Sequence, residues 1–179
     1  MSSTTAVWPL AVRVFHWSLV GSFATAWLTG DDWMTIHEWA GYAAAALVAL
    51  RVAYGLVGPR YVRFSQFVRS PAVTWTYARQ ILRKREPRYI GHNPLGAIMV
   101  LVLLAAISTT ALTGWLQTTD AYWGVEWIED IHEAAANGML VLVAVHVGGV
   151  LISSFRHHEN LIRAMISGRK VSPSPGDVA

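Results

Sequence analysis

Cysteine is absent from this 179-residue chain, which excludes disulfides, thiolate metal sites and cysteine-ligated iron–sulfur clusters. Charge is scarce as well. Only 14% of the residues are Asp, Glu, Lys or Arg, against about 25% in an ordinary soluble domain. Extended alternation of apolar and polar residues is also missing, which sets aside a membrane β-barrel. What the chain has instead is hydrophobic content of 54%, gathered into long runs. Four of these, at about 10–29, 38–57, 94–114 and 133–153, are long enough to cross a bilayer as helices. The expected fold is therefore an all-α membrane protein, a four-transmembrane-helix bundle.

The remaining charges are distributed unequally. Arg60, Arg63, Arg69, Arg79, Arg83, Lys84, Arg85 and Arg88 lie between the second and third runs, with Glu86 as the single acid. The tail adds Arg156, Arg163, Arg169 and Lys170. The two other connections carry Asp31, Asp32, Asp120, Glu126, Glu129 and Asp130, and no Lys or Arg. The positive-inside rule then puts both termini of this multi-pass chain in the cytoplasm and turns the short acidic loops outward. The pI near 9.5 is explained by basic residues facing anionic lipid, so nucleic acid is not an expected partner. The first run, with Arg13 early and no small-residue cleavage site, reads as an uncleaved anchor.

Shorter signals complete the organisation. Ser70-Pro71 resembles an N-cap and first turn, opening a cytoplasmic interfacial helix over 70–85. A second amphipathic stretch runs from Glu159 to Ser167, with Gly168 as its C-cap. Residues 8–170 form one domain, and 171–179, with Pro173 and Pro175, read as a disordered tail.

Histidines carry the chemistry. His132 and His146 are fourteen residues apart on one apolar run, which brings them to within roughly 40° of one helix face and about 21 Å apart along the axis. His16 lies about as far inside the cytoplasmic end of the first run as His146 does in the fourth, whereas His37 and His132 both open outer ends. Depth alone thus pairs His16 with His146 and His37 with His132. Ionisable residues inside a span normally face the bundle interior and a function. Paired imidazoles without cysteine, and with only Glu38 and Glu133 as acidic neighbours, suit two bis-histidine haem b groups better than zinc, which wants further ligands. Gly21, Gly41, Gly138 and Gly148 lie close in sequence to these histidines and would let a flat macrocycle approach, although helix packing accounts for each equally well. Arg13, one turn before His16, and Arg51, fourteen positions after His37, are candidate partners of haem propionates, with snorkelling to headgroups the competing role. His92 reads as a solvated or capping residue, and His157 and His158 read as surface residues, with contact to a propionate or quinone the competing role.

Arg13-Val-Phe-His16-Trp17, His37-Glu-Trp-Ala-Gly41 and the His132/His146 spacing resemble the bacterial cytochrome b561 family and the related b-type cytochrome subunits of nickel–iron hydrogenases. The stretch from His158 to Lys170 looks more like the hydrogenase side. The resemblance covers roughly residues 8–170. It implies a four-helix bundle with two haems, the third helix giving no ligand. It also implies electron transfer between membrane quinone and a redox partner protein, either a periplasmic c-type cytochrome or a hydrogenase. Two other functions fit the same residues less fully: a self-contained quinol oxidoreductase with a small-molecule acceptor, and a non-haem membrane metal-ion transporter or sensor.

Overall fold

A computed structural model describes residues 3–178. Nine elements follow in chain order: strand β1 (Thr4–Ala6), helices α1 (Leu10–Thr29), α2 (Met34–Val57), α3 (Phe64–Phe67), α4 (Pro71–Leu82), α5 (Pro94–Gln117), α6 (Glu126–Arg156) and α7 (Leu161–Ser167), and strand β2 (Arg169–Val171). Each expected apolar run is helical. Three of the helices, α2, α5 and α6, are long and apolar enough to cross a membrane. The fourth expected span, α1, is continuous over 20 residues but is not one of the three. Arg13, His16 and the Ser and Thr residues among its apolar positions dilute its hydropathy. Leu50, Val52, Val102, Val141 and Val145 are exposed, as expected where lipid rather than water is the solvent.

α6 begins well before the predicted start near 133. Its first turn carries Glu126 and Glu129, whose negative charge suits the positive end of a helix. At 31 residues it is about 46 Å long, more than the roughly 30 Å hydrocarbon core requires.

The chain divides into two compact units. The first comprises residues 3–13, 54–101 and 145–178. Its core is Val7, Trp8, Val12, Val62, Ile90 and Ala164, with Tyr54, Tyr61 and Met165 packed against them. The predicted helix over 70–85 is present as α4, where Ser70 Oγ accepts from the Val73 amide and Pro71 takes the first turn. It ends at Leu82, and Lys84 follows in the left-handed region at φ 53°. Glu86, the lone acid of the basic segment, bonds Arg156 at 2.6 Å. Burial, reinforced by the Glu86 charge, pushes the Tyr77 hydroxyl up to about 12.

Gly168 is the C-cap of α7, in the left-handed region at φ 77°. Its carbonyl accepts from the amides of Val7 and Trp8, and an added Cβ would stand 2.6 Å from the Trp8 carbonyl oxygen. Only glycine satisfies both demands. The chain then turns into β2, which pairs antiparallel with β1 in the register Thr4↔Val171, Thr5↔Lys170 and Ala6↔Arg169.

The tail expected to be disordered from 171 is instead held in this unit. Arg88 joins Asp177 at 2.6 Å and Glu159 at 3.0 Å, and Lys170 reaches the other Glu159 oxygen at 3.2 Å. Val178 exchanges backbone bonds with Arg88 and Ile90. Proline and serine content argued for a free chain. The buried ion cluster supplies partners that composition does not reveal.

Candidate functional site

The second unit comprises residues 14–53 and 102–144 and contains both outer histidines. His37 sits in the first turn of α2 after the bend at Thr29–Trp33. Its Nδ1 lies 2.8 Å from the Ala26 carbonyl oxygen on α1. That carbonyl can only accept, so Nδ1 is the donor, and in a neutral imidazole the lone pair is then on Nε2.

His132 is fixed in the same way from a different helix. Its Nδ1 lies 2.9 Å from the Thr110 carbonyl oxygen on α5 and 3.2 Å from Thr113 Oγ1. Thr113 is buried, and its own hydroxyl donates to the Thr109 carbonyl at 2.8 Å. Again Nδ1 is the donor and Nε2 the free base. Gly114 completes the seat, since a Cβ there would lie 2.9 Å from His132 Cε1 and 3.3 Å from Nδ1. The glycine is what allows the ring to lie against the α5 backbone.

The two rings stand 6.0 Å apart, centre to centre, at 67°. Two metal–imidazole bonds of about 2.0–2.1 Å, with the half-widths of both rings, sum to about 6 Å. The donor set therefore fits the iron of a haem: two neutral imidazoles, each with its distal nitrogen hydrogen-bonded to protein, at a separation suited to one metal between them. Glu133 is exposed, and no group of three or more His, Cys, Asp or Glu residues arranged for a metal ion occurs among the described residues.

The other expected site residues lie as follows. His16 is half-buried on α1, with its ring edge-on to Trp17 at 5.1 Å. His146 is half-buried on α6. Arg51 is buried, at 5% exposure. Arg13 spends one guanidinium nitrogen, Nη1, on the Ile166 carbonyl of α7, within the first unit. His92, read as solvated or capping, packs its ring at 4.8 Å from Trp8 and 4.6 Å from Phe67. His157 is half-buried, and burial lowers its pKa ahead of the opposing pull of Glu86. His158 is exposed.

Sequence reasoning found the outer histidines but missed the groups that hold them, namely the Ala26 and Thr110 carbonyls, Thr113 and Gly114. The signal available was Ser108-Thr109-Thr110 followed by Thr113-Gly114, a polar and small cluster inside an otherwise apolar span.

Three helices long and apolar enough to cross a membrane, in a mostly helical chain, fit a helical membrane protein. The chain belongs to the prokaryotic cytochrome b561 family, whose match covers residues 7–168. It is similar to the probable Ni/Fe-hydrogenase B-type cytochrome subunit of Rhizobium leguminosarum bv. viciae, at 26% identity over 92% of this chain and 88% of that protein. It is also similar to the protein of the same description from Bradyrhizobium diazoefficiens, at 23% identity over 93% of this chain and 86% of that protein. No solved structure matches. The protein is thus a membrane b-type cytochrome of electron transfer, and haem b is its cofactor. The metal-ion transporter or sensor reading gives way to this one.

Proposed function

We propose that the protein binds two haems b, each between two histidines, and carries electrons between the membrane quinone pool and a redox partner protein. The observation that carries the reading is the His37/His132 pair, with both Nδ1 atoms donating to backbone carbonyls and both Nε2 atoms left as bases. Haem supplies a reversible one-electron centre when bound. His37 and His132 would both hold the iron of the outer haem, which would disfavour oxygen binding and favour electron transfer. The Ala26 and Thr110 carbonyls fix the tautomers and raise the basicity of the ligands. His16 and His146 form the inner pair on the sequence argument of equal depth. Arg13 and Arg51 are the cations assigned to propionates, with Arg13 sharing its guanidinium with the Ile166 carbonyl.

In this reading α1 joins α2, α5 and α6 as a fourth span of an inner-membrane bundle. Both termini are cytoplasmic and α4 lies along the cytoplasmic interface. The names of the relatives make a hydrogenase the first candidate partner, with a periplasmic c-type cytochrome the other.

A reduced-minus-oxidised spectrum with haem quantification on detergent-solubilised protein tests the proposal. The expected result is two b-type haems per chain, falling to one in His16→Ala and one in His132→Ala. Colourless protein from haem-replete cells, or full haem content in both variants, sinks it.

A further inference from the structure

The two outer ligands are not held alike. His37 Nδ1 has one acceptor, the Ala26 carbonyl. His132 Nδ1 faces two, the Thr110 carbonyl at 2.9 Å and Thr113 Oγ1 at 3.2 Å. The Thr113 proton is occupied, since its hydroxyl donates to the Thr109 carbonyl at 2.8 Å, with Thr110 O at 3.1 Å as a second acceptor. Its oxygen therefore presents lone-pair density to the His132 N–H, and its burial keeps water from substituting for it.

We propose that Thr113 is a positioning residue for His132 that lowers the reduction potential of the outer haem through a shared Nδ1 hydrogen bond. The inference rests on His132 being a ligand, as proposed above. An N–H shared between two acceptors gives up more proton density, which makes Nε2 a stronger donor to iron. A stronger donor stabilises the ferric over the ferrous state, because the oxidised centre carries the greater positive charge. Thr113 also pins the ring in rotation. With Gly114 beneath the ring and Thr110 beside it, the hydroxyl defines the third side of the seat. The outer centre would thereby be a better electron donor than with an unshared Nδ1 bond, without any change of ligand.

The test is a potentiometric titration of the purified holoprotein monitored at the haem bands, with Thr113→Val, Thr113→Ser and, as a control, Thr109→Val. Thr109 bonds the Ala105 carbonyl on an exposed face. The expected result is full haem content with one midpoint raised in Thr113→Val and native midpoints in Thr113→Ser and Thr109→Val. Loss of one haem in Thr113→Val, with both retained in Thr113→Ser, also supports the role, since the hydroxyl is then needed to keep the ring in place. Unshifted midpoints in a fully loaded Thr113→Val overturn it, as does a Thr113→Ser that behaves like Thr113→Val. His132→Ala separates the two levels. One haem lost there, with Thr113→Val unshifted, removes the tuning role and leaves ligation standing. Two haems retained in His132→Ala removes both.

Discussion

Gly114→Ala is expected to cost the protein one of its two proposed haems, whereas Gly30→Ala leaves both in place. The added methyl at 114 meets His132 Cε1 at 2.9 Å, closer than real Cβ contacts come, and the ring must move. Moving it breaks the Nδ1 bonds to Thr110 and Thr113 that set its tautomer and pose. At Gly30 the new methyl lies 3.5 Å from His37 Nδ1, an ordinary contact. Helix propensity pulls the other way at 114, because alanine inside a helix is worth about 1 kcal/mol over glycine. The expected signature is thus a chain that keeps its native helix content yet carries half the haem. Gly114→Ala protein with two haems and a native spectrum would remove the seat from the mechanism.

Glu159→Ala is the second large effect, and it strikes the first unit. Glu159 is buried and bonds Arg88 at 3.0 Å, Lys170 at 3.2 Å and the Val171 amide at 2.8 Å. Lys170 is itself buried, so removing the carboxylate strands two cations in a cluster where only Asp177 remains to balance them. Breaking a buried pair from one side typically costs about 3–5 kcal/mol. Part of that is relieved here by Asp177, which leaves a loss at the lower end. Limited proteolysis should show the segment after Ser167 cleaved faster in the variant, and native cleavage rates would refute the clamp.

The same carboxylate makes the clamp acid-sensitive. Burial raises the Glu159 pKa, but the Arg88 hydrogen bond, the Lys170 charge and the Val171 amide outweigh it, and the net shift is downward from 4.5. A depressed folded value means that the stabilisation is complete above the unfolded value and is lost as the pH falls through the folded one. Protection of the β2 amides, measured as exchange relative to the intrinsic rate at each pH, should therefore fall on acidification below 4.5, and Glu159→Gln should flatten that response.

The nearness of His37 and His132 was legible because helical spacing and span depth are properties of sequence alone. His37 and His132 indeed meet across two helices, at 6.0 Å. The seat was not legible, because it depends on how far α5 is rotated about its axis, and a uniformly apolar span such as Pro94–Leu104 gives no moment to read rotation from. Boundaries failed where electrostatics extended a helix past its apolar core, as Glu126 and Glu129 do for α6. The tail failed for a different reason. Asp177 and Val178 are ordered by Arg88 and Ile90, some ninety residues away, and local composition cannot register a partner at that distance.

The β1–β2 ladder also sets an order on synthesis. Thr4–Ala6 are made well before their partners Arg169–Val171, so the ladder stays open while the residues between them are synthesised. The second unit needs nothing beyond residue 144. At about 5–20 residues per second, the interval between residues 144 and 171 would give the proposed His37/His132 seat about 1–5 s in which to receive a haem first. A chain whose residues through 144 are free of the ribosome, but whose β2 is not yet free, should already load haem at that seat, with β1 still unpaired.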